Sequence, residues 1–147
     1  MESAVFDPLK LENQLCFPLY ACAREVVKRY KPFLDDIDLT YTQYVTMMVL
    51  WEKPEITSRE IGGRLHLDSG TLTPVLKKLE EKGLVNRERM ASDERNLVVK
   101  LTDAGRDLRG RAECIPGKMG RCVRLSPEDA GALHALLYRL LEALGEE

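Results

Sequence analysis

The sequence predicts a mainly α-helical chain with a small β-hairpin. It is a winged helix-turn-helix whose N- and C-terminal helices pair two copies of the chain. Three observations predict it. Two short helical segments, each with its own N-cap, are joined by the tight connection "HLD". The apolar period then switches from helical to strand-like, as in a hairpin laid directly after the second helix. The last helical segment carries more apolar surface than one exposed terminal helix should.

The elements follow in order. Residues 10–34 read as an amphipathic helix in which Leu15, Leu19, Cys22, Val26 and Tyr30 recur at three- and four-residue spacing. Pro18 reads as a breaker or kink inside it, with its ring against the carbonyl of Gln14. "DDIDLTY" ends that helix, and Thr40 caps a second running to about residue 52. Thr57 with Glu60 three residues on is a capping-box pattern that opens "SREIGGRL". Asp68 caps "SGTLTPVLKKLEEK", which turns Leu72, Val75, Leu76 and Leu79 inward and stops at Gly83. "LVNRER" and "NLVVKLT" are strand-like, joined by the polar "MASDER". Thr102 caps "DAGRDLRGRAECI", which Pro116 and Gly117 interrupt. Ser126 with Pro127 behind it starts the last helix, which carries Leu133, Leu136, Leu137, Leu140, Leu141 and Leu144. The simplest cover for that face is the first helix of a second copy. The domain reading is therefore one domain over 1–147, with dimerisation helices at 8–35 and 103–147 around a winged helix-turn-helix at 55–101.

Composition narrows the function classes. The 147 residues suffice for one moderate core, and the formal charge of −2 means that any basic surface is local. No apolar run approaches the roughly 20 residues of a membrane span. "MESAVFDPLK" lacks the pattern of a signal peptide, so the expected location is the cytoplasm. The four cysteines, at 16, 22, 114 and 122, form no CxxC pair, and His66 and His134 lie far from them in sequence. This argues against a metal site or any other cofactor, and against a permanent disulfide framework.

In a winged helix-turn-helix the second helix enters the major groove and its N-terminal residues meet base edges. Here those residues are Ser69, Gly70, Thr71, Thr73 and Pro74. Their hydroxyls can bond bases or phosphates, and their methyl or ring carbons can contact thymine methyls. Lys77 and Lys78 are placed for phosphates. Arg87 and Arg89 add positive charge along the hairpin, and Arg95, with Asp93 to orient it, suits a minor groove. A solvated charged face would explain the cations alone, but not their place beside a helix-turn-helix and a wing. Two copies would read a pseudo-palindrome in double-stranded DNA.

The helix order and "SDERNLVVKLTDAG" resemble the MarR family of bacterial regulators over nearly the whole chain. Within it, "LENQLCFPLYA", "YKPFLDDIDLTYTQY" and "LHLDSGTLTPVLKKLEEKGLV" resemble the organic hydroperoxide resistance subfamily, OhrR. The resemblance implies a homodimeric repressor, not an enzyme, that senses organic hydroperoxide and controls a thiol peroxidase gene. It implies that Cys16 is the reactive thiol and that Tyr20, Tyr30 and Tyr41 hydrogen-bond it. Pro18 departs from the pattern, where a small or aliphatic residue is common. The resemblance also implies a resolving cysteine from the other subunit, in the region of Cys122 or Cys114; Cys122, expected in a loop before the last helix, is favoured.

Chemistry and spacing constrain these roles. The thiolate is the attacking species, and its first product is a sulfenic acid. Tyr20 lies one turn from Cys16 on the same face. Tyr30 lies 14 residues on, about 21 Å along a straight helix, so it can act on Cys16 only across a dimer. Cys22 is about 9 Å of rise away and on another face, and it fits the apolar seam as a core residue. Leu15, Phe17 and Leu19 favour a lipophilic peroxide. Two rivals leave Cys16 without a role: a regulator that answers a phenolic ligand in the dimer cleft, and an architectural DNA binder. A thiol peroxidase would leave the wing without one.

Overall fold

The computed structural model describes residues 6–145, with the side chains of Glu94 and Arg95 outside the described residues. The chain clusters into two compact units, Met1–Cys114 and Ile115–Glu147. Capping residues set most helix starts. In the first unit, α1 spans Cys16–Asp35 and α2 spans Tyr41–Glu52. Thr40 caps α2, with Gln43 returning the bond to the Thr40 N–H in a full capping box. Strand β1 is Glu55–Thr57, and the Thr57–Glu60 box opens α3, Ser58–Leu65. Asp68 Oδ1 accepts the Thr71 N–H at 2.7 Å and opens α4, Ser69–Glu81. Gly83 stops α4 at φ 74°, with Gly83 N–H on Glu80 O and Leu84 N–H on Leu79 O. That pattern closes the last turn through a left-handed residue, the conformation glycine adopts without strain.

Strands β2 (Val85–Met90) and β3 (Asp93–Leu101) form the wing, with a register irregularity between Arg89 and Met90. The sheet has three antiparallel strands in the order β1-β3-β2, not the two of a lone hairpin. Ile56 of β1 opposes Val99 of β3, and both are buried, so the third strand ties the wing to the start of α3. The connection is shorter than "MASDER", because β3 already begins at Asp93. Helix α5, Asp103–Ala112, is capped by Thr102.

The core of this unit runs from Leu34, Ile37 and Leu39 through Tyr44, Met47 and Leu50 of α2. It continues into Ile61, Leu72, Leu76 and Leu79 of the two short helices and Val85 and Val99 of the sheet. The recognition helix α4 is thus clamped along one apolar stripe while its other faces stay open.

Three sequence expectations are corrected. The first helix does not begin at residue 10: a 3-10 turn covers Leu11–Asn13, Gln14 is extended, and α1 begins at Cys16. Pro18 therefore occupies the first turn, where its missing N–H breaks no intrahelical bond and no ring clash arises. The Pro116–Gly117 break is not a loop either. In the second unit these residues lie in the first turn of α6, Ile115–Val123, so Cys122 is helical. Finally, Cys22 is exposed, not core. Leu19 and Val26 on its face are also exposed, so that seam is not buried among the described residues. Helix α7, Pro127–Leu144, is capped by Ser126 and likewise holds no buried residue.

Candidate redox and nucleic-acid sites

Cys16 is the first residue of α1, and its thiol is exposed. Leu15 before it provides no side-chain cap. Cys16 thus stands at the end of α1 whose first-turn N–H groups have no partner within the helix, the end of a helix dipole that favours anions. Tyr20 lies one turn on, 60% exposed, with the Arg24 guanidinium 5.5 Å above its ring. Among the described residues of one chain no hydrogen bond joins Tyr20 to Cys16.

The other two tyrosines are brought together near the far end of α1. The rings of Tyr30 and Tyr41 are 4.9 Å apart, and Tyr44 joins them at 5.8 Å and 6.4 Å. Trp51 meets Tyr44 edge-on at 6.5 Å and donates its indole N–H to Gly105 O at 2.8 Å. Burial pushes the phenols of Tyr30, Tyr41 and Tyr44 above their ordinary pKa, and neighbouring tyrosines push Tyr30 further. These groups therefore remain protonated donors. Tyr44 was not a sequence candidate; its place one turn beyond Tyr41 in α2 was the available signal.

Cys114 lies just beyond α5, with its sulfur 3.7 Å from the Arg111 carbonyl oxygen to which it donates. Both Cys114 and Cys122 are exposed.

On α4, Ser69, Gly70, Thr71, Thr73, Pro74 and Lys77 are all exposed, on the faces away from Leu72, Leu76 and Leu79. Thr73 donates its hydroxyl to Ser69 O at 2.7 Å, which leaves its oxygen able to accept. Pro74 lies inside the helix, where its ring removes the bond that would satisfy Gly70 O. The cations divide into two kinds. Lys78 pairs with Glu81 at 2.9 Å, and Arg87 pairs with Glu80 at 2.9 Å while its backbone N–H bonds the same carboxylate. The Glu80 carboxyl is held below its usual range by those Arg87 bonds, so Arg87 brackets the wing to α4. Lys77 and Arg89 have no ion pair among the described residues.

A cleft of about 280 Å³ lies between α3, α4 and the wing. Arg59, Ser69, Thr73, Arg87 and Asn96 line it. Arg59 and Asn96 were not legible as site residues, because only the packing of three elements brings them beside Ser69. Asp93 accepts the Asn96 amide at 3.0 Å. The Arg95 side chain lies outside the described residues.

An exposed recognition helix beside a wing, on a chain that also bears an exposed helix-terminal thiol, defines a winged-helix regulator with a candidate redox site. Residues 28–110 match the transcriptional regulator SarA/Rot family. The organic hydroperoxide resistance transcriptional regulator of Bacillus subtilis is 47% identical over 142 residues, 97% of each chain. AbfR of Staphylococcus epidermidis, solved reduced on DNA, is 38% identical with a TM-score of 0.74, covering 92% of this chain and 95% of AbfR. Its disulfide form is similar at a TM-score of 0.63, over 89% and 92% of the two chains. The chain belongs to the MarR family of DNA-binding transcriptional regulators, in its organic hydroperoxide resistance branch. It is a regulator and not an enzyme. Among the described residues no helix is long and apolar enough to cross a membrane.

Proposed function

We propose that two copies of this chain form a cytoplasmic repressor that holds a pseudo-palindromic operator while Cys16 is reduced and leaves it once an organic hydroperoxide has oxidised Cys16. The observation that carries this reading is the exposed Cys16 sulfur at the first position of α1, on a chain that also presents a recognition helix. A relative named for organic hydroperoxide resistance and a structural neighbour known both reduced on DNA and as a disulfide support it.

In the chemical step the Cys16 thiolate attacks one peroxide oxygen of ROOH. The O–O bond breaks, sulfur loses two electrons and becomes a sulfenic acid, and RO⁻ takes a proton to leave as the alcohol. Tyr20 of the same helix, with the partner subunit's Tyr30 and Tyr41, donates hydrogen bonds to the charged sulfur. The thiol of the partner subunit's Cys122, with Cys114 as the second candidate, then condenses with the sulfenic acid. An S–S bond forms and water leaves. Exposed Leu15, Phe17 and Leu19 around Cys16 favour a lipophilic peroxide.

On DNA, Ser69, Gly70, Thr71, Thr73 and Pro74 meet base edges, and Lys77 and Arg59 meet phosphates. Arg87 and Asp93 set the wing that carries Arg95 into the minor groove. The helices at 8–35 and 103–147 hold the dimer of a single domain over 1–147, and the repressed gene encodes a thiol peroxidase.

The test is fluorescence anisotropy on DNA from upstream of the chain's own gene, with one equivalent of cumene hydroperoxide added to wild type and to Cys16→Ser. Release by wild type alone is expected. Release of both variants, or of neither, overturns the reading and returns the search to a ligand in the dimer cleft.

A further inference from the structure

The corner between α1 and α2, which carries Tyr41, and the recognition helix share a polar joint at Lys82. This residue is the C-cap of α4, and its side chain, 27% exposed, reaches back to the corner between α1 and α2. There its ammonium donates to the carbonyl oxygen of Asp38, lies 3.3 Å from the Asp38 carboxylate, and donates to Gln43 Oε1 at 3.2 Å. Asp38 adopts a left-handed φ of 53°, so its carbonyl faces a direction that the ordinary helical or extended backbone would not give. Gln43 Oε1 also accepts the Thr40 N–H at 3.1 Å, so one oxygen serves both the capping box of α2 and Lys82.

The same corner positions the tyrosines. Tyr41 is the first residue of α2, directly after the capping residue, and its ring packs on Tyr30 of α1. Buried Ile37 and Leu39 anchor the corner from within, and Arg111 of α5 donates to the carbonyl of Asp36 beside them. Residues 36–43 thus form a short, doubly tethered segment. One side holds the ring proposed to serve the thiol, and the other holds the C-cap of the recognition helix.

We infer that Lys82 is the positioning residue that transmits oxidation at Cys16 to α4, by making the Asp38–Gln43 corner and the end of the recognition helix move as one piece. This rests on the proposed function, in which Tyr41 contacts the sulfur. A change in the sulfur shifts the tyrosine, the shift displaces the capping box, and Lys82 carries the displacement to α4. Such coupling needs contacts that differ between the two states, and the joint supplies a path of packed and hydrogen-bonded groups between them.

The readout is the ratio of DNA dissociation constants, oxidised over reduced, with the extent of Cys16 oxidation matched by intact mass. Wild type should show a ratio of tenfold or more. Lys82→Met, which removes the charge and the donors but keeps the length, should fall below threefold while still oxidising fully. Lys82→Arg should restore tenfold or more. A merely structural role would weaken binding in both states and leave the ratio unchanged. Asp38→Gly, which keeps the left-handed backbone and removes the carboxylate, should lower the ratio in the same direction and covers the case in which Lys82→Met fails to fold. Wild-type ratios in the variants overturn the inference alone. A wild type that oxidises and stays bound overturns the proposed function and this inference with it.

Discussion

One substitution made twice on α5 tests the packing around the joint between α4, the wing and α5. Gly105 and Gly110 lie five residues apart on the same helix, yet a methyl group at each meets opposite surroundings. A Cβ at Gly105 would lie 2.2 Å from Leu84 O and 2.7 Å from Leu101 Cδ1. One at Gly110 meets nothing within 4 Å. The Leu84 oxygen cannot simply withdraw, because it accepts the Thr102 N–H at 3.1 Å. Thr102 in turn caps Gly105 N–H at 3.1 Å and donates to Gly83 O at 2.6 Å. Nor can Gly105 withdraw freely, since its carbonyl takes the Trp51 indole N–H. A carbon and an oxygen need roughly a further 1 Å, so Gly105→Ala should cost about 3 kcal/mol, at the upper end of overpacking and with hydrogen bonds lost besides. Gly110→Ala should stabilise by about 0.5–1 kcal/mol through helix propensity alone. At about 2–4 °C per kcal/mol for a chain of this size, the melting temperatures should separate by about 7 °C or more, one below wild type and one above. Thermal melts followed by circular dichroism on the reduced protein read the difference. Two shifts of the same sign would refute the close approach at Gly105 and the account of the joint built on it.

Two further outcomes follow from the same physical reasoning. The Glu60 carboxyl is lowered to about 2, first by its hydrogen bond from Lys53 and then by those from Thr57. A depressed folded pKa stabilises fully above the unfolded value near 4.5 and is lost as pH falls through the folded one. The melting-temperature gap between wild type and Glu60→Gln should therefore be full at pH 7, shrink below about 4.5, and vanish near 2. A pH series of melts checks this, and a constant gap would contradict it. Leu79, fully buried on α4, should cost about 3 kcal/mol on truncation to Ala. Urea unfolding should show the loss as a lower midpoint with an unchanged slope.

The parts of the fold legible in the sequence are those decided within four residues. Thr40, Thr57, Asp68, Thr102 and Ser126 each cap the helix expected, because a cap is a side chain bonding its own backbone two or three residues on. The boundaries of α3 and the stop at Gly83 are of the same kind. What escaped depends on distant partners. Strand β1 is three residues long and exists because β3, more than 40 residues on, offers Val98, Val99 and Lys100 as partners. Prolines misled in the opposite sense. Pro18 and Pro116 look like interruptions on paper, yet each falls in a first turn, while Pro32 lies inside α1 without ending it. Whether a proline breaks a helix depends on where the helix starts, and that was the uncertain quantity. In the candidate site, the run 69–77 could be placed because α4 could be placed. The cleft residues Arg59 and Asn96, and the reach of Lys82 to Asp38 and Gln43, needed tertiary contacts that no local pattern records.

The misreading of Cys22 has a different physical origin, and it bears on mechanism. Helical periodicity identifies residues that share a face; it does not say which chain covers them. The seam of α1 is apolar as expected, yet Leu15 remains 79% exposed, and on α7 Leu136 is 57% and Leu144 68% exposed. Leaving such faces in water is costly, and a second copy of the same chain supplies a symmetric cover. Cys16 stands at the start of α1 and Tyr30 near its end, about 21 Å apart on one rigid element. If the phenol and the sulfur are to meet, they come from different subunits. On the proposed reading, then, the apolar faces do more than hold two DNA-binding heads one helical turn apart. They assemble the sensor itself, so the thiol chemistry and the operator spacing depend on the same interface.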